Sequence, residues 1–93
     1  MTQTNHGYLN LGDGQIHYDT AGDGFPLLLS HAAFLDRRMF DDLWEPLAAE
    51  FRLVRYDMRG FGKSSPVNKP VSRRADLQQL LNHLGITRCH LVG

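Results

Sequence analysis

Two strand-like runs in this chain end in sequence that could do chemistry. In layered sheets, reactive and ligand-binding groups gather at the carboxyl ends of strands. Pro26-Leu27-Leu28-Leu29-Ser30 leads into His31-Ala32-Ala33-Phe34-Leu35-Asp36, and Phe51-Arg52-Leu53-Val54-Arg55-Tyr56 leads into Asp57-Met58-Arg59-Gly60-Phe61-Gly62-Lys63-Ser64. The first end offers an imidazole and then two small residues, which let the backbone turn sharply and aim amide N–H groups into a crevice. Preorganised N–H donors stabilise the negative charge that acyl transfer builds on a carbonyl oxygen, by roughly 3 kcal/mol each. The second end offers a carboxylate, a guanidinium, an ammonium and a hydroxyl among glycines. That set suits acid–base work, anion binding or the bracing of a tight loop. After a third run, Cys89-His90-Leu91-Val92, there is only Gly93.

Several sharper readings of the second end fail on spacing. Gly62-Lys63-Ser64 imitates a phosphate loop, but that motif needs a glycine where Asp57 stands, and a carboxylate there repels phosphate. Gly60-Phe61-Gly62 begins a dinucleotide fingerprint whose third glycine would fall on Ser65, with no helix following. Gly62-Lys63-Ser64-Ser65-Pro66 imitates a nucleophile turn, but Pro66 replaces its last glycine. Ser64 therefore reads as a loop-stabilising hydroxyl. His6, His17, His83 and His90 share no ligand spacing along the chain with an Asp or Glu cluster, and no metal is expected.

The elements that must hold these ends can be read from periodicity. Tyr8–Leu11 and Gln15–Tyr18 flank Gly12-Asp13-Gly14, where Asp-Gly can supply the positive φ of a tight hairpin. The apolar run after Gly22-Asp23-Gly24 is too short for a helix and suits a parallel strand buried on both faces. Trp44, Leu47, Ala48 and Phe51 fall at helical spacing, which predicts a short helix from about Leu43 to Glu50, with Pro46 tolerable only in a first turn. Ser72 is an N-cap, Leu77, Leu80, Leu81 and Leu84 mark one helical face, and Gly85 stops it. A hairpin followed by strand, helix, strand, helix, strand is an α/β layer structure with a parallel sheet.

Composition narrows the function classes. The chain has 93 residues, is 42% apolar, and balances ten basic against ten acidic residues. No net field favours nucleic acid, an anionic membrane or an acidic substrate, and like charges never run beyond pairs. The first residues have neither the basic nor the apolar segment of a secretory leader, and no stretch approaches the ~20 apolar residues of a membrane span, so a cytoplasmic location is expected. Cys89 is the single cysteine, which excludes an internal disulfide and reads as a small buried hydrophobe. A chain this short is marginal as a free-standing α/β unit, because ordering costs ~1.5 kcal/mol per residue.

From about Leu11 to Gly93 the chain resembles the α/β-hydrolases. In that family a Pro-Leu-Leu-Leu strand ends in His-Gly, matched here by His31-Ala32. The signature Asp-x-Arg-Gly-x-Gly-x-Ser is met in full by Asp57, Arg59, Gly60, Gly62 and Ser64, and a strand ending His-Leu-Val-Gly by His90 to Gly93. The resemblance implies that residues 1–93 are the N-terminal part of one α/β-hydrolase domain: the opening hairpin and the first parallel strands of an incomplete sheet.

It further implies that Ala33 donates an oxyanion-hole N–H. Ala32, where glycine is usual, adds a Cβ that could displace this donor and leave Phe34 as the fallback. His31, Asp57, Arg59, Gly60, Gly62 and Gly93 are expected to support the site structurally, since the family's catalytic histidine lies far downstream. Gly93 opens the nucleophile turn, so nucleophile, acid and catalytic histidine are expected beyond it, with serine, aspartate or cysteine all open as nucleophile. No cofactor or metal is implied, and the partner is a small-molecule substrate of an ester, lactone or related bond. The alternative is a truncated, non-catalytic piece that self-associates or pairs with a complementary chain through an uncovered sheet edge.

Overall fold

A computed structural model describes residues 3–31 and 35–93. Thr4–Asn10 (β1) and Gln15–Ala21 (β2) form an antiparallel hairpin. Phe25–Ser30 (β3), Phe51–Tyr56 (β4) and His90–Val92 (β5) follow, with helices Asp41–Ala48 (α1) and Arg73–His83 (α2) between them. The sheet order is β1-β2-β4-β3-β5: β2 lies antiparallel to β1 and β4, while β4, β3 and β5 run parallel. This mixed sheet is the α/β architecture expected.

Alternation along the strands gives each face of the sheet its own helix. Leu27, Leu29, Leu53 and Ala21 pack under Phe40, Trp44 and Ala48 on the α1 side. Leu28, Val54, Tyr56, Ile16 and Leu9 pack with Leu80 and Ile86 on the α2 side. β3 and β4 are thus covered on both faces, which is why their sequences read as continuous apolar runs rather than alternating ones. No helix among the described residues is long and apolar enough to cross a membrane.

Three local expectations need correction. Of the two glycines in the hairpin turn, Gly12 has the positive φ, at 92°, and Gly14 does not, because the connection is a four-residue loop. In it Asn10 Oδ1 accepts from the Gly12 N–H and the Leu11 N–H reaches the Gly14 carbonyl, each at 2.8 Å. Helix α1 starts at Asp41, two residues earlier than expected, and a 3₁₀ turn over Arg37–Phe40 precedes it. Asp36 caps that turn by accepting from the Arg38 N–H. Pro46 consequently lies inside the helix rather than in its first turn. It is exposed, so the carbonyl that loses its helical partner can bond to solvent.

Helix α2 follows its sequence signals closely. The Ser72 side chain accepts from the Ala75 N–H. At the other end Gly85, with φ +70°, donates to the Asn82 carbonyl while Ile86 donates to that of Leu81, the paired bonds of a Schellman stop. Of the leucine face only Leu80 is fully buried; Leu77, Leu81 and Leu84 pack against the core partly exposed. Among the described residues strand β5 borders only β3, and its Leu91 and Val92 are exposed by 60% and 46%.

The loop after β4 has a strict backbone requirement of its own. Gly62 has φ +52°, and a Cβ there would lie 2.4 Å from the Asp57 carboxylate. Gly85 has a similar φ with nothing within 4 Å of its would-be Cβ. Gly85→Ala should therefore cost only the left-handed strain, about 1 kcal/mol, whereas Gly62→Ala should cost ~2–4 kcal/mol. Urea unfolding of the two variants checks the difference, and equal losses would contradict it.

Candidate functional site

The carboxyl ends of β3 and β4 are joined by one buried carboxylate. Asp57 has no exposure to solvent, so each oxygen needs a protein donor. Oδ1 accepts from the Arg37 backbone N–H at 2.8 Å, and Oδ2 accepts from Arg37 Nη1 and the Lys63 backbone N–H, each at 2.9 Å. The Asp57 carbonyl accepts from the Ser64 hydroxyl, whose oxygen in turn accepts from the His17 N–H at 2.8 Å. The glycine at position 62 is what lets residue 63 approach the carboxylate closely enough to donate.

Arg37 extends this unit across the sheet. Its Nε donates to Asp19 Oδ2 at 3.0 Å, and Arg55 Nε donates to the same oxygen at 3.0 Å. Arg55 also reaches Asp41 at the start of α1 and lies 4.3 Å over the Trp44 ring. Trp44 itself is buried and donates to Thr4 Oγ1 at 2.8 Å, tying α1 to β1. Asp19 is fully buried. Burial alone would raise its pKa, but hydrogen bonds from His6 and Arg55 and the charges of Arg37 and Arg55 hold it below the usual carboxylate value.

His31 closes β3 and is buried. Its Nε2 accepts from the Met58 backbone N–H at 2.9 Å, so that nitrogen is unprotonated, and its ring meets Phe61 edge-on at 5.7 Å. The His31 bond thus spans from the end of β3 to the loop after β4, beside the Asp57 contacts. A concavity of about 240 Å³ opens there, lined by Asp36, Arg37, Arg38, Gly62 and Lys63. Ala33 and Phe34, the expected N–H donors, lie outside the described residues.

Asp57 and Arg59 were both expected to support the site structurally. Asp57 does meet backbone N–H groups, but Arg59 turns away to the opposite face. There Arg59 grips Asp76 of α2 with two bonds of 2.8 and 2.7 Å and reaches Asp13 of the hairpin turn at 2.8 Å. Gly60, at φ +96°, donates to the Ser65 carbonyl. Gly93 follows β5 with its would-be Cβ 3.8 Å from Ser30, so the third strand end does converge on the first.

A family model for the alpha/beta hydrolase fold matches residues 26–93. The chain belongs to the α/β-hydrolase fold family. Among curated relatives of this α/β-hydrolase chain, a soluble epoxide hydrolase from Corynebacterium sp. strain C12 is 28% identical, the alignment covering 99% of this chain and 33% of the relative. A fluoroacetate dehalogenase from Burkholderia sp. is 38% identical, covering 91% and 31%. The solved structure of the epoxide hydrolase CorEH without ligand superposes with a TM-score of 0.90 at 28% identity, covering 98% of this chain and 33% of that one. The α/β-hydrolase chain therefore spans about a third of the length of these relatives.

Asp19, Arg37, Arg55, His17 and His6 are the members that sequence reasoning missed. A signal for two of them existed: Asp19 lies two residues before the core residue Ala21, and Arg55 two after Leu53, so period-2 alternation turns both charges inward. His17 is also buried, and its Nδ1 has no hydrogen-bond partner among the described residues. Burial, reinforced by the Arg37 charge, pushes its pKa below the ordinary 6.5 despite Asp19 and Asp57 nearby. The unfolded chain then binds more protons than the folded one below pH 6.5, so stability is full above that value and falls as pH drops through the folded pKa. His17→Gln should flatten that decline by up to ~1.4 kcal/mol per pH unit, measured by urea unfolding across the acidic range. An unchanged slope would assign the decline to other groups.

Proposed function

We propose that these residues are the opening part of a cytoplasmic hydrolase of the family, acting on an ester, lactone or related bond of a small molecule. Ala33 supplies one oxyanion-hole N–H, with Phe34 as the fallback donor. His31, Asp57, Arg59, Gly60, Gly62 and Gly93 support that site without touching the reacting atoms. Nucleophile, acid and catalytic histidine come from sequence beyond residue 93, and no cofactor is needed, since a triad supplies nucleophile and base while the oxyanion hole supplies the electrostatics.

The observation that carries this reading is the bracing on either side of position 33. His31 is held by the Met58 N–H, and Arg37 is held by the Asp57 carboxylate through both backbone and guanidinium. An N–H donor lowers a barrier only if it is positioned before the charge develops, and held residues on both flanks support that reading. The relatives named as an epoxide hydrolase and a dehalogenase leave the bond type open across the family.

A second reading, an inactive piece that self-associates, has one observation in its favour: β5 is a sheet edge with Leu91 and Val92 exposed. One set of measurements separates the two. In the polypeptide that carries this sequence in its source, Ala33→Pro, which removes the N–H and also fixes φ at that position, should lower kcat on an activated ester by ~10²–10³-fold with little change in KM. Residues 1–93 alone should show no turnover and should sediment as dimers or larger. A source polypeptide of this length that hydrolyses nothing would favour the second reading, and full activity in both Ala33→Pro and Phe34→Pro would contradict the oxyanion assignment.

A further inference from the structure

His6, His17 and Asp19 face one another across the β1–β2 hairpin, although their separation along the chain matches no ligand pattern. The register pairs His6 with Asp19 and Tyr8 with His17, so all three side chains emerge on one face of the sheet. Their candidate ligand atoms lie within 4.8 Å of one another. His6 Nδ1 is 2.6 Å from Asp19 Oδ1, and His17 Nε2 is 3.9 Å from the same oxygen. A tetrahedral zinc site with bonds of about 2.0–2.1 Å needs ligand atoms ~3.4 Å apart, and these two separations bracket that value. We propose that His6, His17 and Asp19 bind one Zn²⁺ ion, with a water molecule as fourth ligand.

The surroundings match what such a site requires. Both arginines hold Asp19 through Oδ2, leaving Oδ1 turned toward the two imidazoles. A zinc-bound Nε2 places the His17 proton on Nδ1, and metal-ligating histidines commonly direct that proton at a carboxylate. His17 Nδ1 lies 3.7 Å from Asp57 Oδ2, too far for a hydrogen bond as the ring stands, and has no hydrogen-bond partner among the described residues. Metal binding thus supplies a role for a buried nitrogen that is otherwise unsatisfied. The connected charges are three carboxylates, Asp19, Asp41 and Asp57, against two guanidiniums, Arg37 and Arg55, which leaves room for a cation. His6, with 61% of its side chain exposed, provides the way in and can rotate to complete the coordination. The bound ion would fasten β1, which among the described residues pairs only with β2, to the buried network beneath it.

The test is titration of the tag-free full chain with Zn²⁺ by calorimetry, and with Co²⁺, whose visible absorption reports tetrahedral geometry. The wild-type chain should bind one ion with Co²⁺ bands of tetrahedral intensity. His6→Ala, at an exposed position that does not enter the core, should bind at least ~10-fold more weakly, and His90→Ala, an exposed histidine at the other end of the sheet, should bind as wild type does. Zn²⁺ should also raise the melting temperature of the wild-type chain but not of His6→Ala. Absence of one-to-one binding by the wild-type chain, or undiminished affinity in His6→Ala, would overturn the assignment.

Discussion

A carboxylate sealed from water must have its oxygens met by protein donors, and Asp57 meets this demand by drawing together segments far apart in the chain. Arg37 comes from the segment after β3, Lys63 from the loop after β4, and the Asp57 carbonyl accepts from Ser64, which holds the β2 backbone at His17. Removing one partner from such a buried ionic set typically costs ~3–5 kcal/mol, because the remaining charge is left without compensation. That cost makes the arrangement close to all-or-none. The β3 and β4 ends are therefore positioned by one electrostatic unit rather than by independent loop preferences.

The two faces of the sheet divide the work. On the α2 side the core is apolar, and Arg59 locks the helix by gripping Asp76 while also reaching the hairpin turn through Asp13. On the α1 side the apolar core gives way, toward the strand ends, to the Asp19, Arg37, Arg55 and Asp57 network, with Arg55 stacked on Trp44 at the boundary. Among the described residues buried charge thus lies on both faces, as the Asp19, Arg37, Arg55 and Asp57 network on one and the Arg59–Asp76 pair on the other.

The architecture was legible because its signals are local. The helix cap at Ser72, the stop at Gly85 and the apolar runs of β3 and β4 each depend on neighbouring residues and appear where expected. The start of α1 was misjudged because Pro46 looked like a first-turn residue, whereas the Asp36 cap and the 3₁₀ turn begin the helical segment well before it. The site was only half legible. The positions of Asp57, Gly60 and Gly62 could be read from their spacing, but their partners could not, since Asp57 to Arg37 and Arg59 to Asp76 are bonds across the fold. The His6–Asp19 pairing is set by hairpin register, which depends on a loop whose glycine geometry was itself misplaced.

The central claim is that Asp57 holds both strand ends as one unit, and native-state hydrogen exchange in an Asp57→Asn variant tests it most directly. The informative amides are those of Arg37 and Lys63, which bond to Asp57, and those of Met58 and His17, which do not. If the carboxylate fixes the ends jointly, all four lose protection together while Val54 in the sheet core keeps its own. Loss confined to Arg37 and Lys63, with Met58 and His17 as protected as before, would show that the strand ends are held independently and would contradict the account.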